Sequence, residues 1–207
     1  MAIAYCLKRN KMKIGLYFGT FNPIHVGHLI IANHMAEHAD LDQVWMVVTP
    51  HNPLKKKSTL LADHHRLEMV FLATEDFPKI KPSDIEFKLS QPNYTVNTLV
   101  HLEEKYPEHT FSLIMGEDNL KSFHKWKNYE AILAHHEIYV YPRIDTISGE
   151  LENILFKNHP KIHLIDAPVV EISSTSIREH IKKGKNVLPL LPPKVWEYID
   201  HNNFYKK

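Results

Sequence analysis

Short apolar runs and longer amphipathic stretches alternate along the chain. Residues 14–18 form an apolar run broken by Gly15, and 43–49 form a second, rich in Val44, Trp45, Val47 and Val48. Between them, Leu29, Ile30, Ala32 and Ala36 recur at helical spacing over 27–38. After a polar loop at 50–59, Leu67, Val70 and Phe71 give a helix over 63–74 one apolar face. Residues 80–89 read as an irregular strand, 94–106 as an amphipathic helix and 110–115 as a buried strand. A helix at 129–136 and short strands at 137–141 and 161–165 follow. Helices at 174–183 and 194–201 complete the series, the last announced by Pro192 and Pro193. Strands and helices alternating over short connections predict an α/β fold, one parallel sheet with helices on both faces. In such sheets ligands bind beyond the carboxyl ends of the strands, near the topological switch point. The segments after the first, fourth and last strands are therefore the places to look for chemistry.

Composition narrows the field. A chain of 207 residues can bury one full core but not two ordinary ones. Lys and Arg number 25 against 24 Asp and Glu. That balance disfavours a protein whose main task is gripping a nucleic-acid backbone. No stretch approaches the roughly 20 apolar residues of a membrane span. Cys6 is the lone cysteine, which excludes an internal disulfide and fits a reducing, cytoplasmic setting. The 16 histidines include two adjacent pairs. Neighbours on a helix point roughly 100° apart, so neither pair converges on one metal. Residues 1–11 read as an N-terminal extension, disordered or the product of a misassigned start, ahead of a single domain over 12–207.

Directly after the first strand comes Gly19-Thr20-Phe21-Asn22-Pro23-Ile24-His25-Val26-Gly27-His28. Gly19 permits a strained turn and a close backbone approach, while Asn22 and Pro23 fix a bend. His25 and His28, three apart at a helix entrance, can face one side. Free amides and the helix dipole point the same way, a setting for phosphate. An isolated His-x-x-His is more often structural, or half of a zinc site; its place at the ligand edge of a sheet favours the phosphate reading. Neither G-x-x-x-x-G-K-S/T nor G-x-G-x-x-G occurs, which disfavours a P-loop or a dinucleotide-binding dehydrogenase. A second anion site is expected after the last strand, where Ser173, Ser174 and Thr175 open a helix and Arg178 can reach back with a bidentate fork.

GTFNPIHVGH together with ISSTSIR resembles the HxGH nucleotidyltransferase superfamily, and within it the bacterial nicotinate-nucleotide adenylyltransferases. Tyr94-Thr95-Val96-Asn97-Thr98-Leu99, Met115-Gly116-Glu117-Asp118 leading to Trp126, and the stretch from Leu191 to Ile199 extend the likeness over nearly the whole of 12–205. The resemblance implies a Rossmann-like domain that joins ATP to nicotinate mononucleotide with Mg²⁺, releasing pyrophosphate. His25 and His28 become the expected catalytic pair. Gly19, Thr20, Phe21, Ser173, Ser174, Thr175 and Arg178 become the expected ATP and phosphate contacts, with Lys55 in a steering role. Asp118 resembles the family's sugar-binding acid, with Gly116 giving backbone clearance. Its structural alternative is a cap for a helix from Asn119. Tyr94 and Thr95 would meet the nicotinate end and Trp126 would stack on the pyridine. Protein ligands for the metal are not identifiable, and oligomeric state, a homo-oligomer included, stays open. The competing readings are a phosphopantetheine adenylyltransferase, another nucleotidyltransferase of the superfamily, and a catalytically silent nucleotide-binding regulator.

Overall fold

A computed structural model describes residues 11–50, 60–143, 156 and 158–206. Its six parallel strands are β1 (Lys13–Gly19), β2 (Gln43–Val48), β3 (Ile80–Ser83), β4 (Thr110–Gly116), β5 (Ile138–Tyr141) and β6 (Ile162–Leu164). They lie in the order β3-β2-β1-β4-β5-β6. The helices are α1 (Val26–His38), α2 (Asp63–Thr74), α3 (Thr95–Lys105), α4 (Glu117–Ser122), α5 (Tyr129–His135), α6 (Ser174–Lys182) and α7 (Pro193–His201). The expected α/β architecture is present, with helices on both faces. Residues 1–10, where most of the expected extension falls, lie outside the described residues.

Each central strand feeds two cores at once. On β4, Phe111, Leu113 and Met115 pack with Leu99, Leu102, Leu120, Phe123 and Ile132 on one face. Ile114 points the other way, toward a core that includes Ile31, Met35, Met69, Val70, Ile177, Val195 and Ile199. β5 splits likewise, Ile138 and Val140 to the first core, Tyr139 and Tyr141 to the second. Burial on both sides is why these strands read as continuous apolar runs rather than alternating ones.

Two local readings change. Of the segment 80–89 only Ile80–Ser83 is strand, and a 3₁₀ turn follows at Ile85–Lys88. Pro82 lacks an amide for a second neighbour, so this strand must sit at the sheet edge, where β3 lies. After β4, the helix α4 begins at Glu117 with Gly116 as its cap. Asp118 is therefore a first-turn residue rather than the cap, and its carboxylate is not spent on the helix start.

Candidate active site at the switch point

Strands β1 and β4 are neighbours, yet the chain leaves them toward opposite edges of the sheet. The crevice this opens is the ligand position of such folds. Here it is a cavity of about 880 Å³. That volume is near the upper end for small-molecule pockets and suits two joined nucleotides better than one.

The turn after β1 forms its floor. Its strain lies two residues beyond where the sequence suggests: Phe21, not Gly19, occupies the left-handed region, at φ 44°. Gly19 is needed because the Phe21 ring folds back over it. A Cβ on Gly19 would stand 2.7 Å from that ring. The Asn22–Pro23 peptide is cis, and His25 then caps α1 in an extended conformation. The rings of His25 and His28 stack at 3.7 Å, 24° from parallel, so the two imidazoles do share a face. The His25 amide donates to His28 Nδ1 at 3.3 Å. With Nδ1 accepting, a neutral His28 carries its proton on Nε2 and is a donor. Phe21 and Tyr17 stand edge-on to the His28 ring at 5.1 and 6.1 Å and fix its plane.

His25 is 4% exposed and its Nδ1 has no hydrogen-bond partner. Burial, helped by the nearby Arg143 charge, lowers its pKa from 6.5 to about 4. It is therefore neutral at physiological pH. The unfolded chain takes up this proton near pH 6.5 and the folded chain only near 4, so the contribution to stability is whole above 6.5 and lost as pH falls through that window. The difference amounts to roughly 3 kcal/mol. Thermal midpoints measured from pH 7 to 4 should fall more steeply for the native chain than for His25→Asn. Parallel curves would contradict this.

The second motif packs directly against the first loop. Ser173 caps α6, its hydroxyl accepting from the Ser176 amide at 3.1 Å, as expected of such a start. Ser174 Oγ, however, donates to the Pro23 carbonyl at 2.9 Å. Arg178 Nη1 donates to the Asn22 carbonyl at 2.8 Å, and Nη2 to Thr175 Oγ1 at 3.3 Å. The fork expected to grip phosphate thus holds the first loop and its own helix start. Residues of both segments, after the first and last strands, line the same cavity.

Across the crevice, Asp118 lies beside Gly116, where a Cβ would collide with its Oδ1. Its Oδ1 is 3.7 Å from Arg143 Nε. Tyr94 caps α3 and Thr95 is its first residue. Lys127 Nζ sits 4.5 Å above the Tyr94 ring. Trp126 is half-buried, edge-on to Phe123 at 5.5 Å. Thr20, Phe21, His25, His28, Tyr94, Thr95, Asp118, Trp126, Ser173, Ser174, Thr175 and Arg178 all line the cavity, as does Gly19. Lys55 lies outside the described residues. The helices α1, α3, α4 and α6 all begin at this edge of the sheet, so their positive ends add to a field that favours polyanions.

Several cavity residues escape a reading of the sequence. Arg143 follows β5 at the same ligand edge, a position that the strand-end rule could have flagged. Lys125 and Lys127 flank Trp126 and add positive charge. Glu86 is 2% exposed, and burial raises its carboxyl pKa against the opposing pull of a Thr98 hydroxyl bond at 2.7 Å. The Tyr17 and Tyr141 hydroxyls meet at 3.1 Å in the cavity wall.

The family described as cytidylyltransferase-like matches residues 16–180, most of the chain, and this places the protein among the nucleotidyltransferases. A relative from Flavobacterium johnsoniae is 79% identical over 196 residues, covering 95% of this chain and 100% of the relative. One from Bacteroides thetaiotaomicron is 45% identical over 190 residues, 92% of each chain. Both carry the name "Probable nicotinate-nucleotide adenylyltransferase". The chain belongs to the nicotinate-nucleotide adenylyltransferase family. A solved Plasmodium falciparum nicotinic acid mononucleotide adenylyltransferase complexed with NaAD shares the fold. Its TM-score is 0.76 at 24% identity, over 94% of this chain and 97% of that one. Among the described residues no helix is long and apolar enough to cross a membrane.

Proposed function

We propose that this cavity transfers the adenylyl group of ATP to the 5′-phosphate of nicotinate mononucleotide, giving nicotinate adenine dinucleotide and pyrophosphate. The observation that carries the reading is the convergence of the histidine turn, the α6 start, Asp118 and the Tyr94/Trp126 pair on one cavity. The acceptor phosphate oxygen attacks the α-phosphorus in line, and pyrophosphate leaves. A phosphate monoester has its second pKa near 6, so this nucleophile is already ionised and needs no strong base. The protein's task is to align two polyanions and stabilise charge on the bridging oxygens. His28 Nε2–H donates there. His25, buried and neutral, backs the His28 ring and completes the cradle. Thr20, Ser174 and Thr175 line the ATP phosphate path. Asp118 takes a sugar hydroxyl, and Trp126 stacks on the pyridine.

Among the described residues no group of three or more His, Cys, Asp or Glu could hold a metal ion. Mg²⁺ would arrive as part of the ATP substrate and would offset the charge of its phosphates. For the pyridine end, the first amides of α3 at Thr95 and the Lys127 charge beside Tyr94 favour a carboxylate over an amide.

Purified protein given ATP should release pyrophosphate with nicotinate mononucleotide at about tenfold or more the kcat/KM seen with nicotinamide mononucleotide. Phosphopantetheine should give none. ATP binding without release on any acceptor would favour the silent regulator and overturn the reading.

A further inference from the structure

The turn at 20–28 is held by a residue far outside both motifs. After α7 the chain folds back: the Phe204 amide donates to the Ile199 carbonyl at 3.0 Å, and Lys206 pairs with Asp200 at 2.9 Å. Asn203 and Tyr205 both take left-handed backbone conformations, at φ 54° and 64°. A bulky non-glycine residue adopts that conformation only where its surroundings hold it. Here the result is that Tyr205 turns inward and its hydroxyl donates to Asn22 Oδ1 at 2.7 Å. Burial raises the Tyr205 pKa well beyond its usual range, so the hydroxyl stays a donor.

Asn22 is the junction. It is 1% exposed. Its Oδ1 also accepts from the Leu61 amide at 3.3 Å, and its carbonyl accepts from Arg178. It immediately precedes the bend that leads to His25. We infer that the Tyr205 hydroxyl is a positioning group for the phosphate loop, orienting Asn22 so that the turn at 20–28 is preset to receive a nucleotide triphosphate. The inference rests on the ATP reading above for its ligand, but the bond between the tail and the loop stands without it.

Tyr205→Phe removes this one hydroxyl and keeps the ring. Tyr198→Phe is the matched control. It deletes a hydroxyl from the same C-terminal packing, one bonded to His65 Nδ1 at 2.8 Å, with no bond to the loop. Hydrogen exchange of the 19–29 segment and calorimetric binding of ATP are read for both variants. For Tyr205→Phe we expect faster exchange in that segment, a Kd for ATP raised about threefold to tenfold, and an unchanged KM for nicotinate mononucleotide. Tyr198→Phe should match the native chain in all three. Equal behaviour of the two variants, or an unchanged segment and Kd in Tyr205→Phe, would overturn the positioning role. If the native chain bound no ATP while Tyr205→Phe still loosened the segment, the strap would stand and the ATP reading would fall.

Discussion

Replacing His28 by alanine should lower kcat for pyrophosphate release by about 10²–10³ while leaving the fold intact. The size follows from what the imidazole does. Its Nδ1 is occupied by the His25 amide, its plane is fixed by Tyr17 and Phe21, and its face is covered by His25. A donor held this way spends no reorganisation when charge builds on the transferring phosphoryl group. In the proposed mechanism its hydrogen bond strengthens in the transition state more than in the ground state, so the loss falls on kcat rather than on KM. The structural cost is small by comparison. Alanine removes one acceptor from the α1 start, a position that costs about 1 kcal/mol in typical helices. Steady-state kinetics with a thermal melt separates the two. A variant with native kcat, or one whose loss tracks a collapsed melting temperature, would remove His28 from the chemistry.

The placement of the histidine turn at the cavity was legible because its signals are local. Gly19, Asn22, Pro23 and Gly27 punctuate the chain at the end of a buried strand, and the sheet rule says what such a place is for. The same locality made Ser173 a correct cap. What the sequence could not convey is where long side chains spend their donors. Arg178 sits one turn inside a phosphate-type motif, so the natural reading sends it to phosphate. In the folded chain one arm also reaches the Asn22 carbonyl, 156 positions away. The strain at Phe21 was also invisible, since a glycine two residues earlier is the statistical choice for it. Among strands, Pro82 disturbed the pattern enough to blur β3 into the turn that follows. Arg66 is the clearest omission. A charged residue in an amphipathic helix looks like surface, and nothing in its spacing separates a buried guanidinium from a solvated one.

Arg66 is in fact fully buried, and its replacement is the stability change with the largest expected size. Nη1 donates to the carbonyls of Thr20 at 2.7 Å and Thr49 at 2.9 Å. Nη2 reaches the Pro50 carbonyl at 3.3 Å and Asp63 Oδ1 at 2.5 Å, and Nε the Leu61 carbonyl at 3.0 Å. One planar fork thus ties the loop after β1 to the chain leaving β2 and to the approach of α2. Asp63 is 42% exposed, so the ion pair contributes modestly; the weight lies in four carbonyls that would otherwise be left without their donor. In Arg66→Met the stem still fills the space, but these acceptors lose their partner, at a cost of roughly 3–5 kcal/mol. For a chain of this length that corresponds to a melting temperature lower by roughly 10 °C. Arg66→Lys should recover little, because a single ammonium with three donors cannot span the same acceptors in a plane. Urea unfolding of both variants checks the point: a lysine variant as stable as the native chain would show that charge alone, rather than the geometry of the fork, holds the three segments together.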